Sequence, residues 1–293
     1  MRRLVAVAAA AAVLLSGCTG GEATTAGNIA DIVVNNGEDG APVFTIDAGL
    51  EFNATETIVA WNGEGPVIED GQQLLLDMYA QSLETGEVLT NTYIEFNGEP
   101  GLPEPFLMAP ELLGQELYEA LDGLRIGARV LHVSATTDGY EDLGPIALVV
   151  DVLPARALGT AQGARDDLPL VTTEQDGTPL VTLRADQEEP IELVSFATRV
   201  GDGDQVHAGS WVLVNYVGIT FANGQLWESN WGAEQAPLKT QIGVGEVIQG
   251  WDEGLLDYPV GSQVLLMVPA AKAWGEESMV FVVDILAVWE EAE

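Results

Sequence analysis

The sequence predicts an α+β protein made of two similar domains, each an antiparallel sheet curved around one short helix. Short β-type runs alternate with turns rich in Gly, Asp and Asn along both halves of the chain. Each half also carries one short stretch with helical periodicity. Local motifs recur with a period near 137 residues. Together these observations favour two copies of one α+β domain over an all-β protein.

The N-terminal residues 1–17 have the pattern of a targeting segment. Arg2 and Arg3 precede an apolar run, residues 4–15, which is too short to span a bilayer. The sequence Leu15-Ser16-Gly17-Cys18 resembles the bacterial lipobox, in which the cysteine is lipidated and becomes the mature N-terminus. We therefore expect an exported protein that is anchored by lipid at Cys18 to the outer face of the cytoplasmic membrane. The alternative is an ordinary secretory signal followed by an unremarkable cysteine.

Composition limits the chemistry that the rest of the chain can perform. Cys18 is the only cysteine, so we expect no disulfide. The two histidines, His132 and His207, lack the partners of a usual zinc site, and no cofactor motif is present, so we expect neither metal nor cofactor. The formal net charge of −36 repels nucleic acid and favours neutral or basic client segments. Solubility alone is the simpler explanation of this charge.

The repeat defines the domain boundaries. Residues 39–45 recur as 176–182, residues 74–79 as 211–216, and residues 148–153 as 281–286. An Ala- and Gly-rich stretch separates the two copies and is typical of a linker. The predicted organisation is a signal peptide, 1–17; a flexible tether, 18–28; a first domain, 29–155; a linker, 156–169; and a second domain, 170–293.

Residues 242–256 predict the centre of the second domain. A strand ends at Ile242, and glycines then allow a sharp turn. Val247, Trp251 and Leu255 recur at i, i+4 and i+8, so they share one face of a helix. Pro259 limits this helix to two or three turns. Because strand-like runs lie on both sides, we expect the helix to lie in the hollow of a sheet, with Trp251 as the floor of a pocket.

At these residues the sequence resembles the FKBP-type peptidyl-prolyl cis-trans isomerases. The run Gly-x-x-Glu-Val-Ile-x-Gly-Trp-x-x-Gly, from Gly243 to Gly254, is that family's most distinctive motif. The resemblance covers roughly residues 190–289 and continues through further motifs in the family's order, at residues 214–218, 223–229, 260–261 and 281–284. It implies that the second domain is an isomerase domain and that the first is a degenerate, FKBP-like copy.

The resemblance also implies the residues of the pocket. Trp251 would form its floor and the other aromatic residues its walls, and the backbone of Val247 and Ile248 would bind the peptide. The indole N–H of Trp274 would replace a tyrosine hydroxyl as a hydrogen-bond donor. The catalytic set is Tyr216, Trp227, Glu228, Trp251, Trp274 and Phe281, and the substrate-binding set is Leu238, Val247 and Ile248.

The first copy lacks this aromatic lining. Leu117 stands at the position of Trp251, and Leu89 and Thr90 stand at the positions of Trp227 and Glu228. Six of the seven tryptophans lie in the second copy. We therefore expect the first copy to be structural, as a spacer or a peptide-contact surface.

Two functions remain open at this point. The first is an isomerase that acts on Pro-containing polypeptides and assists the folding of exported proteins. The second is a non-catalytic FKBP-like lipoprotein that binds Pro-containing segments or acts as a scaffold. Only residues 275–280 separate Trp274 from Phe281, where the family carries a longer flap. This short connection is expected to weaken both catalysis and the macrolide binding that the resemblance implies.

Overall fold

A computed structural model describes residues 25–37, 41–47, 50–94, 96–97, 101–135, 141–174, 177–232 and 235–289. The predicted signal peptide, the lipidation site Cys18 and most of the predicted tether lie outside these ranges. Within them, no helix is both long enough and apolar enough to cross a membrane.

Antiparallel strands make up most of both halves. The strands of the first half are β1 (Thr25–Ala26), β2 (Val33–Asn36), β3 (Pro42–Thr45), β4 (Leu50–Glu51), β5 (Glu56–Trp61), β6 (Gln73–Ser82), β7 (Val88–Asn91), β8 (Glu104–Leu107), β9 (Arg129–Ser134) and β10 (Ile146–Pro154). Those that follow are β11 (Thr160–Ala161), β12 (Leu170–Thr173), β13 (Pro179–Thr182), β14 (Val194–Val200), β15 (Trp211–Thr220), β16 (Leu226–Ser229), β17 (Leu238–Gln241), β18 (Gln263–Val268) and β19 (Met279–Trp289).

The helices are few and short. They are α1 (Pro110–Leu113), α2 (Gln115–Leu121) and α3 (Gln249–Gly254), with 3-10 turns at Ile29–Asp31, Glu141–Leu143 and Ala270–Lys272. The first half therefore has two helical segments where one was expected, because the chain turns at Gly114 with a φ of 77°. Helix α3 is shorter than the expected two or three turns, and Val247 precedes it instead of lying within it.

The two main sheets share one strand order. In the first sheet the order is β5-β9-β10-β6-β7, with β8 also paired to β6. In the second sheet it is β14-β18-β19-β15-β16, with β17 paired to β15 and β11 added outside β14. A hairpin, β2–β3 or β12–β13, packs with an apolar cluster on one face of each sheet, and the helix packs on the other face.

Strand register corrects one part of the sequence alignment. Asp151 of β10 lies opposite Asp77, and Asp284 of β19 lies opposite Asn215. Asn215 therefore corresponds to Asp77, so Met78, and not Tyr79, corresponds to Tyr216. Because side chains alternate across a sheet, this shift by one residue places Tyr79 on the other face, where its ring contacts Phe44 at 5.4 Å.

The expected linker, residues 156–169, lies against the second sheet. The backbone N–H of Ala157 donates to Asp284 Oδ2 at 2.7 Å, and the Asn215 side chain donates to the Ala155 carbonyl at 2.9 Å. Further along, β11 pairs with β14, and the Leu168 side chain is buried in the apolar cluster beneath the second hairpin. The segment is thus hydrogen-bonded and packed at both of its ends.

The two halves also contact each other directly. Leu75 of the first sheet packs with Leu213 and Leu286 of the second in one buried cluster. The Gln73 side chain donates to the Gln235 carbonyl at 2.8 Å. Leu213 lies on β15 and Leu286 on β19, and neither belongs to the cluster that packs against α3.

The buried carboxyl of Asp284 makes stability depend on pH. Burial raises the pKa of Asp284 from 3.8 to about 6, against the lowering effect of the Ala157 and Gln263 hydrogen bonds. Between these pH values the folded protein binds more protons than the unfolded chain, so the free energy of unfolding falls as pH rises from about 4 to about 6. A shift of this size corresponds to roughly 3 kcal/mol.

We expect Asp284→Asn to remove this contribution, because an amide does not titrate. Urea unfolding at several pH values between about 4 and 7 measures the effect. A residual slope is expected in the variant, since burial also raises the pKa of Asp77 to about 6 in the first half. If the variant and the wild type lost the same stability over this range, the buried carboxyl of Asp284 would not be the cause.

Candidate active site

A cavity of about 450 Å³ opens between α3 and the second sheet. It brings together all nine pocket residues that the sequence predicts. Glu246 also lines it, a residue of the motif to which no role was given. The lining residues are Tyr216, Trp227, Glu228, Leu238, Glu246, Val247, Ile248, Trp251, Trp274 and Phe281.

Trp251 forms the floor of this cavity. Its side chain, only 4% exposed, projects from α3 between two rings of the adjacent central strands β15 and β19. Tyr216 meets the indole at 5.1 Å with an interplanar angle of 86°, and Phe281 meets it at 5.5 Å and 90°. These are edge-to-face contacts, which orient the ring as well as burying it. The floor is therefore held from two sides.

The helix can reach the sheet because of a glycine. A Cβ at Gly250 would lie 2.4 Å from a methyl group of Val268 on β18, which is too close for any side chain. The helix begins after Ile248, whose carbonyl accepts from the backbone N–H of Trp251 at 2.9 Å. Both carboxylate oxygens of Asp252 accept backbone N–H groups of the preceding turn, from Gly243 at 2.7 Å and Gly245 at 2.8 Å. The turn and the helix are thus tied together beside the cavity.

Two tryptophans form the rim. Trp227 on β16 and Trp274, in the connection between β18 and β19, lie with ring centroids 4.4 Å apart and an interplanar angle of 36°. Both contact Phe281, at 6.3 Å and 6.4 Å. Their side chains stay 44% and 53% exposed. The segment between β18 and β19, residues 269–278, therefore leaves this side of the cavity open to solvent.

Besides the indole N–H groups, the polar side chains that line the cavity are a phenol and two carboxylates. Burial, together with a hydrogen bond to Glu228 and the charge of that carboxylate, raises the pKa of Tyr216 above its usual 10. The hydroxyl consequently stays protonated at neutral pH and donates to Glu228. Glu246 is exposed, and its Oε2 accepts the backbone N–H of Gln241 at 3.2 Å. In the described part of the chain, no three His, Cys, Asp or Glu side chains are grouped as a metal site would require.

The same place in the first half is filled by aliphatic side chains. By strand register and helix position, Met78 corresponds to Tyr216, Leu148 to Phe281 and Leu117 to Trp251. Leu117 is buried in the core beneath the first sheet, and both Met78 and Leu148 pack against that core. Leu89 and Thr90 lie on β7 at the places of Trp227 and Glu228 on β16. The first half therefore has no aromatic ring at any of these positions.

Asn230 supports the cavity, although it is not among the site residues that the sequence predicts. Its Oδ1 accepts the backbone N–H of Tyr216 at 2.7 Å, and its Nδ2 donates to the Val214 carbonyl at 3.0 Å. The first half has the same arrangement, in which Thr92 Oγ1 accepts the N–H of Met78 at 2.7 Å. This role depends on the backbone of β15, which the Asn230 side chain meets only in the fold, so no motif in the sequence indicates it.

The comparisons with known proteins concern this second half. A family model described as FKBP-type peptidyl-prolyl cis-trans isomerase matches residues 203–284, a range that contains every residue of the cavity. The "FK506-binding protein" of Streptomyces anulatus is 36% identical over 112 residues, which cover 34% of this chain and 90% of the relative. This chain belongs to the FKBP-type peptidyl-prolyl cis-trans isomerase family.

Other FKBP relatives align over a similar extent. The "Probable FK506-binding protein" of Corynebacterium glutamicum is 31% identical over 107 residues, 33% of this chain and 88% of the relative. "FK506-binding protein 2" of Aspergillus fumigatus is 37% identical over 91 residues, 31% of this chain and 63% of the relative. Among solved structures, the crystal structure of AtFKBP13 is 26% identical in sequence. The match covers 34% of this chain and 94% of the AtFKBP13 chain, with a TM-score of 0.31.

We expect Asn230→Ala to destabilise the protein by roughly 1–3 kcal/mol, because the buried N–H of Tyr216 loses its acceptor. Asn230→Thr should cost less, since a threonine serves the equivalent position in the first half. Chemical unfolding of the three proteins measures the difference. Equal losses for both variants would show that packing of the side chain, and not the acceptor, is what matters at this position.

Proposed function

We propose that the second half isomerises X–Pro peptide bonds in polypeptides and that the aromatic cavity is its active site. The observation that carries this proposal is the position of Trp251. Its indole lies at the bottom of an open apolar cavity, inside the segment that matches the isomerase family. Such a floor suits the flat, apolar ring of a proline.

The reaction needs no nucleophile or cofactor, because no covalent bond is broken. The planar amide resists rotation by about 18–20 kcal/mol through resonance. The planar form is more dipolar than the twisted form, so transfer from water into an apolar cavity destabilises the ground state more than the transition state. Binding of the proline and its neighbours then favours the twisted geometry.

The aromatic residues of the cavity and the backbone before α3 have different roles in this mechanism. Trp251 supports the proline ring, while Tyr216, Trp227 and Phe281 exclude water from the amide. The backbone of Val247 and Ile248, at the start of α3, hydrogen-bonds the peptide and holds it in register.

Two polar groups at the edge of the cavity, on Trp274 and Glu228, also have roles in the mechanism. The Trp274 indole donates a hydrogen bond to a substrate carbonyl. Glu228 accepts a hydrogen bond from the Tyr216 hydroxyl and so keeps the tyrosine ring in place.

The first half is proposed to be a degenerate copy of the same domain. Equivalent backbone hydrogen bonds support this: Gly65 N–H donates to the Ile126 carbonyl at 3.0 Å, and Gly203 N–H donates to the Val260 carbonyl at 3.2 Å. With aliphatic side chains in place of the aromatic lining, it serves as a spacer or a peptide-contact surface and does not isomerise.

The cellular role follows from the N-terminal sequence. We propose that the protein is exported, that Cys18 is lipidated, and that the isomerase assists the folding of exported proteins at the outer face of the cytoplasmic membrane. Nucleic acid is not among the proposed partners, because of the charge of −36. The open rim leads us to propose that macrolides, for which several relatives are named, bind only weakly.

Trp251→Leu tests the mechanism. The variant imitates Leu117 of the first half and keeps an apolar filler, so we expect it to stay folded by near-UV circular dichroism. The loss of about 1.4 kcal/mol of transition-state contact would slow isomerisation of X–Pro peptides about tenfold in a protease-free assay. Trp231→Leu is the matched control, because Trp231 packs with the cluster on the other face of the same sheet.

The same assay separates the two candidate functions. Full activity in Trp251→Leu would contradict the proposed floor. Peptide binding by the wild type without any acceleration would instead support the non-catalytic binding module, which the open rim and the short connection of residues 275–280 favour. A bell-shaped pH–rate profile between about pH 6 and 8 would indicate acid–base catalysis and contradict the desolvation mechanism.

Cys18→Ala tests the location. We expect the wild type to fractionate with membranes and the variant to become soluble or to accumulate as an unprocessed precursor, since two or more acyl chains are needed for stable anchoring. Cell fractionation followed by immunoblotting measures this. A variant that fractionates like the wild type would contradict lipidation at Cys18.

A further inference from the structure

The rim of the cavity has the chemistry of a cation-binding site. Trp227 and Trp274 lie 4.4 Å apart, and each leaves about half of its side chain in contact with solvent. Indole is the aromatic group that attracts cations most strongly, through the negative potential above its ring. An exposed pair of indoles at the mouth of a binding cavity therefore offers a surface for the side chain of lysine or arginine.

Two carboxylates share this cavity with the indoles. Glu228 follows Trp227 on β16, and Glu246 lies in the turn before α3. Both side chains are exposed, so both carboxylates can accept hydrogen bonds from a ligand in addition to their partners in the protein. No lysine, arginine or histidine is among the residues that line the cavity.

The basic residues of the second half are already engaged elsewhere. Lys272 pairs with Glu253, and Lys239 lies over the rings of Trp211 and Trp289, at 4.8 Å and 5.5 Å. Arg184 and Arg199 donate to backbone carbonyls of the segment that precedes the second hairpin, at Arg165, Leu168 and Gly159. Within residues 177–232 and 235–289, every lysine and arginine thus has a partner outside the cavity, and the charge of the rim carboxylates is left uncompensated.

We propose that the rim formed by Trp227, Trp274, Glu228 and Glu246 binds a cationic side chain, so that the favoured substrates carry lysine or arginine next to the proline. The inference rests on the proposed isomerase function and names its substrate class. The aliphatic stem of such a side chain packs along the exposed indoles while its charged end reaches a carboxylate. From the usual strength of an exposed cation–π contact, we expect a preference of about two- to fivefold.

A matched peptide series tests the preference. One series of peptides carries lysine, norleucine or glutamate directly before the proline and is otherwise identical. A second series carries the same three residues directly after the proline. Norleucine has the aliphatic chain of lysine without its charge. We expect kcat/KM of the full chain, lacking only its predicted signal peptide, to be highest for lysine and lowest for glutamate. The lysine advantage should shrink at about 0.5 M salt, where charges are screened over a few ångströms.

Two variants connect this preference to the rim. Glu246→Gln and Trp274→Leu should each lower the ratio of kcat/KM for lysine over norleucine, by about twofold or more. Glu174→Gln is the matched control, because it makes the same charge change beside the hairpin that covers the other face of the sheet. The control should leave the ratio at its wild-type value. An equal fall in the control would assign the preference to the net charge of the protein and overturn the proposed site.

The outcomes distinguish this inference from the proposed function. If lysine and norleucine peptides are isomerised equally well, the cation site is wrong while the isomerase proposal stands. If no peptide is isomerised, the proposed function fails, and titration of the same peptides, followed by tryptophan fluorescence, still compares their binding. Equal affinities for lysine and norleucine in that titration would overturn the cation site as well.

Discussion

The contact of Trp251 with the rings of Tyr216 and Phe281 is the interaction on which the second half depends. Helix α3 has six residues, too few to be stable through its own hydrogen bonds. Packing must hold it, and its one buried indole packs against rings from two central strands. The same indole also lines the bottom of the cavity. One side chain therefore both anchors the helix and forms the surface that a substrate would contact.

The positions of the cavity residues were predictable because they belong to short motifs in a fixed order, whereas the register of β6 was not. Leu74, Leu75 and Leu76 are all buried, so the alternation that normally reveals which residues face the core is absent there. The register is visible only in the pairing of β6 with β10, where Asp77 lies opposite Asp151 from a distant part of the chain. Helix length was overestimated for a related reason, since the apolar period starts at Val247, before the helix begins.

The composition of the segment between the halves does not predict how that segment packs. Residues 156–169 are rich in small and polar residues, which is typical of flexible linkers. Yet Ala157 is buried, and its backbone N–H is bound by Asp284, while Asn215 holds the carbonyl of Ala155. Small side chains allow the backbone to come this close to buried polar groups. The order of the segment thus comes from two residues of the second sheet, which its own sequence does not reveal.

Comparison of the two halves distinguishes the interactions that maintain the fold from the side chains that line the cavity. Both keep the same turn geometry next to the helix: Gly127 N–H donates to the Val152 carbonyl at 2.7 Å, and Gly261 N–H donates to the Ile285 carbonyl at 2.8 Å. Neither bond depends on side chains in the hollow, where Leu117 of the first half and Trp251 of the second are both buried. Aliphatic and aromatic residues can both complete the core, so core packing does not require the aromatic set. The concentration of indoles and carboxylates around one opening of the second half therefore calls for a functional explanation, which binding of a Pro-containing segment provides.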